Sequence, residues 1–590
     1  MSVSLSLMRF FLSPAAFGLL PMAAALAGPA DVRPLQARTG PAPFAYTNAP
    51  DVLPNYVAGA KWGTQADPIR TMQLPMDPAD SAKRMVVQPG FSVSLWASEP
   101  EIVKPIAMAW DARGRLWIAE TRDYPNELQE PGRGRDRIRI VEDTNADGRA
   151  DRFTVFAEDL SIPTSLCFAN GGVVVLERGQ TLFLADTNGD DRADERRVLF
   201  RGWGMGDTHA TASNLRPGLD QWIWGTVGYS GFDGEVGGRR LKFGMGVFRF
   251  KSDGSALEFI RSSNNNTWGL GITEDGTILG STANRNSAWY MAMPNRFYEA
   301  VRGWSAGRME PVADSEAIYP ITEKVRQVDQ HHHYTAGAGS AIYTARAFPE
   351  EFWNRVSFVA EPTGHLLGWF RMERKGADYR AVNLGSFLAS DDEWTAPIIA
   401  EVGPDGALWV VDWYNYIVQH NPVPAGFQNG KGNAYETVLR DKRHGRIYRV
   451  THTQGTPTRT PQLAGATPAD WVAALRTDNQ LWRLHAQRLL VERGQPDVAP
   501  ALRTLVADPA VDAVGLNVGA IHALWTLQGL KAVGPEAVTA LRHPSAAVRR
   551  AAVSVLPRTL ESAQALIAAG ALRDADGQVR LAALLALAET

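Results

Sequence analysis

Two side chains suited to proton transfer lie two residues apart in a glycine-rich loop. Asp207 and His209 follow Gly202-Trp-Gly-Met-Gly206 and precede a strand-like run, a Gly218-x-Asp220 turn and a second aromatic run ending near Tyr229. A histidine held by a carboxylate is a common general base near neutral pH. His209 is therefore the candidate base, and Asp207 the residue that orients it.

A second polar loop places amide side chains beside an aromatic ring. Asn265, Asn266 and Trp268 suit a polar planar ligand through hydrogen bonds and stacking, although the same residues also suit a turn cluster. Glu361 and Asp412 each follow an apolar, strand-like run. We expect these two acids either to face the same site or to cap the ends of strands.

Two acidic segments are near duplicates and resemble a calcium loop. The glutamate at the twelfth position of an EF-hand is replaced by Thr154 and Arg197, and the flanking residues are strand-like. Two interpretations stay open: a structural calcium site, or acidic hairpin turns. The candidate ligands are Asp143, Asn145, Asp147 and Asp151 in one loop and Asp186, Asn188, Asp190 and Asp194 in the other.

A run of three histidines, from His331 to His333, is a further candidate. In a strand its first and last members would share a face, but no third metal ligand is evident nearby, so a polar strand end is favoured over a zinc site. The sequence contains no His-Glu-x-x-His, Gly-x-Ser-x-Gly, Walker A or Rossmann glycine motif. Hydrolase and nicotinamide-enzyme interpretations therefore lack local support.

The elements that must position these residues are short strands joined by a repeated turn. A Gly/Asp turn followed by an aromatic or β-branched strand occurs at 111–120, 218–224, 273–279 and 403–412. Such hairpins over about 360 residues predict an all-β propeller of about six blades, with a sandwich or β-helix as weaker alternatives. From about Thr467 the period changes to 3.6, which predicts an all-α solenoid of HEAT-like repeats.

The pattern along the chain predicts five segments. These are a signal peptide over 1–27, an extended segment over 28–85, a dehydrogenase-like propeller over 86–452, a linker over 453–466 and helical repeats over 467–590. The first segment has an arginine, an apolar run broken by prolines and a small-x-small site at Ala25-Leu-Ala27. Export to the periplasm or the exterior is expected, without a lipid anchor because no cysteine follows that site; a membrane helix is the alternative.

The composition narrows the range of partners and cofactors. The single cysteine, Cys167, permits neither an internal disulfide nor a covalent c-type haem, which needs Cys-x-x-Cys-His. A net charge of −3 gives no case for a nucleic-acid partner. The 18 tryptophans and 54 glycines fit aromatic strands with glycine turns, or a stacking site for sugars or a flat cofactor.

The chain is similar to the PVC-type membrane-bound dehydrogenases, whose propeller is related to glucose/sorbosone dehydrogenases that use pyrroloquinoline quinone (PQQ). The resemblance covers about residues 86–590 and is carried by the two acidic loops together with Pro89-Gly-Phe91, Glu361-Pro362, Asp412-Trp-Tyr-Asn415 and His444-Gly-Arg-Ile-Tyr-Arg-Val450. It implies that His209 takes the proton of a substrate hydroxyl while hydride moves to the quinone.

The resemblance also implies a cofactor pocket and partners. Asn266 matches an asparagine of the quinoprotein signature, whereas Asn265 stands where those enzymes have an arginine. The implied activity is oxidation of a sugar or other alcohol, with electrons passing to a cytochrome c and the helical repeats docking another protein. The residues assigned to the pocket are Asn265, Asn266, Trp268, His333, Glu361, Arg371 (with Arg374) and Asp412.

Two other functions stay open at this point. One is a carbohydrate- or protein-binding propeller without enzymatic activity, with the helical repeats as a docking arm. The other is a propeller lyase or hydrolase that uses His209 and acids without a redox cofactor. A propeller fold by itself does not choose among these.

Overall fold

The computed structural model describes residues 31–328 and 330–590. The predicted signal peptide lies outside these residues. In the described part of the chain, every helix falls short of the length and apolarity that crossing a bilayer requires. The elements before the first blade are β1 Tyr46–Leu53, β2 Ile69–Gln73, α1 Pro78–Ala82, β3 Val86–Val87 and β4 Phe91–Ala97.

Six antiparallel sheets follow one another around a central channel, so the predicted propeller of about six blades is confirmed. Blades one and two are β5 Pro105–Trp110, β6 Leu116–Glu120, β7 Asp136–Glu142 and β8 Arg152–Leu160, then β9 Pro163–Ala169, β10 Gly172–Glu177, β11 Gln180–Ala185 and β12 Glu195–Arg201. Blade three is β13 Ala212–Pro217, β14 Trp222–Val227, the added hairpin β15 Phe232–Val236 and β16 Arg239–Phe243, then β17 Gly246–Lys251 and β18 Leu257–Ser262.

The remaining blades vary in strand number. Blade four is β19 Thr267–Ile272, β20 Ile278–Thr282 and β21 Trp289–Tyr290, followed by a short helix, α2 Asn295–Glu299. Blade five is β22 Ala338–Ile342, β23 Val356–Glu361, β24 Leu366–Lys375 and β25 Asp378–Ala389, and blade six is β26 Pro397–Val402, β27 Leu408–Asp412 and β28 Arg446–His452.

The ring is closed by strands from the N-terminal side of the propeller. β4 pairs antiparallel with β28, with Val93 opposite Val450, and so becomes the outermost strand of blade six. β3 adds to the outer edge of blade five in the same way, by pairing with β25. Closure of this kind joins the two ends of the propeller segment through backbone hydrogen bonds and covers the edge that β28 would otherwise expose.

The repeated turn found in the sequence joins the first and second strands of blades one, three, four and six. In three of them the turn aspartate accepts a hydrogen bond from the indole Nε1 of a tryptophan in the following strand. The pairs are Asp111 with Trp117 (3.1 Å), Asp220 with Trp224 (3.0 Å) and Asp405 with Trp409 (3.2 Å). In these three blades the repeated motif therefore makes a structural hydrogen bond at the same end of the blade.

A helical region follows the propeller, as predicted. Its α-helices are α3 Pro468–Ala474, α4 Gln480–Arg493, α5 Ala499–Ala507, α6 Val518–Gly529, α7 Pro535–Ala540, α8 Ala546–Val555, α9 Leu560–Ala568 and α10 Gly577–Ala588. The even-numbered members pack one after another, and each odd-numbered member packs against its successor. This two-layer arrangement agrees with a helical solenoid, and its assignment to HEAT-like repeats stays a prediction.

Helix α4 lies across the turns at one end of the propeller. Trp482 Nε1 donates to the carbonyl of Pro404 (2.9 Å), and Gln487 Nε2 donates to the carbonyl of Leu219 (2.7 Å). Side chains of α4, including Leu484 and Arg488, line a small cavity of about 160 Å³ at this end of the channel. A ligand therefore reaches the channel from the opposite face.

The first prediction concerns a buried ion pair at this interface. Glu274 and Arg483 are both fully buried and in contact, and Arg346 Nη1 lies 3.0 Å from the other oxygen of Glu274. Glu274→Gln leaves the buried Arg483 without its counter-charge and removes one of the two carboxylates that Arg346 contacts, the other being Asp512. This is expected to cost about 3–5 kcal/mol of unfolding free energy. Calorimetry measures the loss. The control Asp497→Asn, which breaks an exposed arginine pair on the solvent side, should leave the melting temperature nearly unchanged, and equal effects would contradict the assignment.

The second prediction concerns acid stability. Burial raises the pKa of Asp275, but the charges of Arg550 and Arg374 outweigh it and hold the pKa at about 2, below the ordinary 3.8. Because the folded pKa is the lower one, this stabilisation is present above about pH 4 and is lost as the pH falls from about 4 to 2. It amounts to about 2 kcal/mol. Melting temperatures measured across this range should fall more steeply for the native protein than for Asp275→Asn, and parallel curves would contradict the prediction.

Candidate functional site

A cavity of about 1000 Å³ occupies the open end of the channel. The first strand of every blade contributes to its wall, so the six blades converge on one site. The structure brings five residues selected from the sequence into this cavity: Asp207, His209, Asn265, Asn266 and Trp268. Tyr124, His420 and Asn433 line the same cavity, and the sequence analysis did not select them.

Asp207 precedes a single turn of 3₁₀ helix, Thr208–Ala210, that leads into blade three, and His209 is the middle residue of that turn. Asp207 Oδ1 lies 2.5 Å from His209 Nδ1, and both side chains are partly buried. Asn433 Nδ2 donates to the other oxygen, Asp207 Oδ2 (3.0 Å). Because the carboxylate engages Nδ1, the second ring nitrogen, Nε2, is the one that can exchange a proton with a ligand.

The electrostatics of this pair favour an ionised carboxylate. Burial raises the pKa of Asp207, but the contact with His209 and the hydrogen bond from Asn433 outweigh it and bring the pKa below its ordinary value. Asp207 is thus negatively charged at neutral pH. A fixed carboxylate beside a ring nitrogen orients the imidazole.

His420 is the third member of the cluster. It is 5% exposed, its ring centroid lies 4.4 Å from that of His209, and its Nε2 lies 2.8 Å from the hydroxyl of Tyr124. Its Nδ1 is buried and has no hydrogen-bond partner among the described residues. Burial and then the charge of His209 lower the pKa of His420 well below its ordinary value, so this imidazole is neutral.

The amide side chains form a second wall. Tyr229 donates its hydroxyl to Asn265 Oδ1 (2.6 Å), and Asn265 Nδ2 donates to Asn284 Oδ1 (2.6 Å). The Asn266 amide is 1% exposed, and neither its oxygen nor its nitrogen has a partner in the described part of the chain. It packs directly on Gly228, where an added Cβ would lie 1.7 Å from Asn266 Oδ1. A buried amide left unpaired is costly, so the polar atoms of a ligand would satisfy it.

The charges that line the cavity balance. Two arginines, Arg216 and the exposed Arg285, face two carboxylates, Asp207 and Glu401. Arg216 is in contact with Glu401 and donates Nε to the carbonyl of Leu270 (3.1 Å). Burial raises the pKa of Glu401 above its ordinary value, and the charge of Arg216 offsets only part of that rise. Protein groups therefore engage Nη1 and Nε of Arg216, while its buried Nη2 has no partner in the described part of the chain.

Glu361 and Asp412 lie at strand ends, as expected, and hold the backbone there. Both side chains are fully buried. Glu361 accepts from the backbone N–H of Thr335 (2.9 Å), Ala336 (3.0 Å) and Thr363 (3.1 Å), and Asp412 accepts from those of Ala396 (2.7 Å) and Tyr414 (2.9 Å). They act as caps, which is the second of the two expectations, and Glu361 fixes backbone that lines the cavity.

The other residues assigned by resemblance lie elsewhere. His333 is not part of the cavity wall, and its Nδ1 lies 3.0 Å from the carbonyl of His331. Arg371 pairs with Glu373 (2.9 Å) and Asp31 (3.0 Å). Arg374 pairs with Asp275 (2.6 Å) and Asp576 (3.3 Å), next to the helical region. The structure thus places neither arginine where it could contact a ligand in the channel.

The two acidic loops join the third and fourth strands of blades one and two. In the first loop Asp143 accepts from the backbone N–H of Asp147 (3.2 Å) and Gly148 (2.9 Å), with Asn145 and Asp151 in similar bonds. The second loop repeats the arrangement through Asp186, Asn188, Asp190 and Asp194. These bonds explain the residue types as turn formers, and calcium binding stays a prediction.

Comparison with solved structures found low-identity likenesses. The PQQ-bound aldose sugar dehydrogenase of Streptomyces coelicolor is 14% identical, with 62% of this chain and 100% of that chain covered and a TM-score of 0.36. A putative glucose dehydrogenase of Thermus thermophilus is 15% identical, with 61% and 99% covered and a TM-score of 0.34. The holo PQQ domain of pyranose dehydrogenase from Coprinopsis cinerea is 12% identical, with 62% and 97% covered and a TM-score of 0.36.

Likenesses at these TM-scores carry no argument about activity. No curated protein matches the chain. A family model described as a domain of unknown function, DUF7133, matches residues 77–454, which span the propeller from α1 to just beyond β28. The chain therefore belongs to the DUF7133 family.

Proposed function

We propose that the channel mouth is an active site that removes the proton from a hydroxyl group of a neutral, polyhydroxylated substrate such as a sugar or polyol. The observation that carries this proposal is the contact between Asp207 and His209 on the wall of a cavity of about 1000 Å³. His209 Nε2 accepts the proton, and the ionised Asp207 stabilises the imidazolium that forms.

The chemistry of the wall supports a neutral substrate rich in hydroxyl groups. The lining arginines and carboxylates balance, so the cavity offers no excess charge to an ionic ligand. Amide groups of Asn265, Asn266 and Asn284 supply donors and acceptors, while Trp268 and Trp413 supply aromatic surface. Hydrogen bonds to hydroxyl groups together with aromatic stacking are how proteins hold sugars.

The described residues do not fit PQQ. That cofactor carries three carboxylates, whereas the cavity offers Arg216, which is already paired with Glu401, and the exposed Arg285. Asn265 stands at the position of the expected arginine and is tied to Tyr229 and Asn284. A trianion here would also face Asp207. We therefore assign no PQQ to this site.

The reaction class we propose first is oxidation of the substrate hydroxyl to a carbonyl. The proton leaves to His209, and the hydride leaves to a two-electron organic acceptor of low net charge bound in the same cavity. A separate protein, such as a cytochrome c, would then carry the electrons onward. Export and docking of another protein on the helical region belong to the same proposal.

A second candidate is a non-redox lyase or hydrolase at the same residues. Two observations favour it: the poor fit of PQQ, and the second imidazole, His420, 4.4 Å from the ring of His209. Two adjacent imidazoles beside a carboxylate suit acid–base chemistry on a hydroxyl or on water. In this case the products carry no change in oxidation state.

The third prediction tests the proposed base. His209→Ala should lower kcat about 10²- to 10⁴-fold, because proton transfer from the substrate then has no positioned acceptor. Asp207→Asn should lower it less, since the imidazole remains but loses its negative partner. The assay is reduction of an artificial electron acceptor during incubation of the purified protein with aldoses and polyols, with product analysis in parallel.

A matched control is His444→Ala. Its Nδ1 lies 2.8 Å from Asp441 in a similar histidine–carboxylate pair that does not line the cavity, so the activity of this variant should equal that of the native protein. Turnover without reduction of the acceptor would favour the second candidate. Saturable sugar binding without turnover would identify a binding propeller and overturn the enzymatic proposal.

The fourth prediction separates a ligand-binding amide from a structural one. Asn266→Leu removes an unpaired buried amide at similar volume, so the melting temperature should hold or rise, while KM rises about 10- to 100-fold. The control is Asn286→Leu, because Asn286 is fully buried and its Nδ2 donates to Met309 O (3.2 Å) and Asn264 Oδ1 (3.3 Å). It should lose thermal stability. A fall in the melting temperature of the Asn266 variant with an unchanged KM would contradict the assignment.

A further inference from the structure

We infer that Asp207, His209 and His420 form a binding site for one divalent transition-metal ion of the Zn²⁺ class. One ligand-type atom from each of these residues lies within 4.8 Å of the others. An ion with bonds of about 2.0–2.2 Å needs donor atoms roughly 3.0–3.5 Å apart. The three groups would reach that spacing by rotation of their side chains.

The contact between Asp207 and His209 itself suggests a cation. Asp207 Oδ1 and His209 Nδ1 lie 2.5 Å apart, yet both atoms are buried and neither takes part in a well-directed hydrogen bond. A carboxylate oxygen and a ring nitrogen are both ligand atoms for a metal ion. An ion bound by both atoms would give each of them a partner.

His420 supplies the independent observation. Its side chain is almost fully buried, and its Nδ1 has no partner among the described residues. The opposite nitrogen, Nε2, is engaged by the hydroxyl of Tyr124 at 2.8 Å. When Nε2 carries the proton and donates it to Tyr124, Nδ1 presents a lone pair to an ion.

The surrounding contacts match those that orient metal ligands. Asn433 holds Asp207 Oδ2 at 3.0 Å and so leaves Oδ1 for the ion. Tyr124 plays the same part for His420. Hydrogen bonds of this kind, made to the far side of each ligand, fix its rotamer and tautomer in metalloproteins. Asn433 and Tyr124 therefore hold two of the three proposed ligands in place through the atoms that would not bind the ion.

The ligand set indicates the class of metal and its use. Two imidazoles and one carboxylate suit Zn²⁺ and neighbouring first-row ions, and three protein ligands leave coordination positions open, as in catalytic sites. A substrate hydroxyl bound at an open position would lose its proton more readily. With the ion bound, His209 would act as a ligand through Nδ1, and water at the channel mouth would take the proton in its place. This use of the ion rests on the proposed function, whereas binding of the ion does not.

The experiment is titration of chelator-treated full-length protein with Zn²⁺ alone, followed by calorimetry and by the melting temperature. We expect one equivalent to bind through this site and the melting temperature to rise with Zn²⁺ concentration. Co²⁺ in place of Zn²⁺ should give visible absorption bands of a site with nitrogen and oxygen ligands. His420→Gln and Asp207→Asn should each weaken binding about 10- to 100-fold.

Two controls address binding elsewhere. His444→Gln alters a histidine–carboxylate pair outside the cavity, and His331→Gln with His333→Gln removes two members of the histidine run. Both should bind Zn²⁺ as the native protein does. Absence of binding, binding that both site variants retain, or binding that disappears with the histidine run would each overturn the inference.

The outcomes separate this site from the proposed function. If chelator-treated protein turns over substrate and does not bind Zn²⁺, the inferred metal site is refuted and the proposal that His209 is the base stands. If one equivalent of Zn²⁺ binds, the His420 variant does not bind it, and no sugar or polyol is turned over, the metal site is supported and the proposed function is refuted.

Discussion

The site depends on closure of the propeller ring. β4 pairs with β28 in blade six, and this pairing fixes the position of the long connection between β27 and β28 that carries His420 and Asn433. Asp207 and His209 enter from blade three and Tyr124 from blade one. A ring left open at blade six would separate the two imidazoles, whose contact is made across the channel rather than along the chain.

One residue ties these three connections together. Thr208, between Asp207 and His209, donates its backbone N–H to the carbonyl of Gly432 (3.2 Å). Its hydroxyl donates to the carbonyl of Pro125 (2.9 Å). Thr208 is almost fully buried, so these hydrogen bonds are shielded from water. The cluster is thus held by backbone anchors on both neighbouring connections, which is how side chains on loops become a rigid site.

The sequence predicted those parts of the molecule whose signal is local. The turn aspartates bond to tryptophans four to six residues ahead, so the propeller could be recognised from its repeated turns. Asp207 and His209 are also close in the chain. His420 and Tyr124 could not be selected, because their contact joins distant connections and depends on ring closure. Glu361 and Asp412 fitted ligands and caps equally well until their backbone partners were known.

The helical region and the neutral wall together limit what the site can do. Because α4 covers one end of the channel, substrate and product share the opposite opening, and the interior is shielded behind Arg216 and Glu401. In such a partly desolvated space, charges act more strongly than in water. Because the charges that line the cavity balance, its electrostatic effect on a ligand is strongest beside the Asp207 carboxylate and the two imidazoles. A proton and a metal ion would compete for the same lone pairs there.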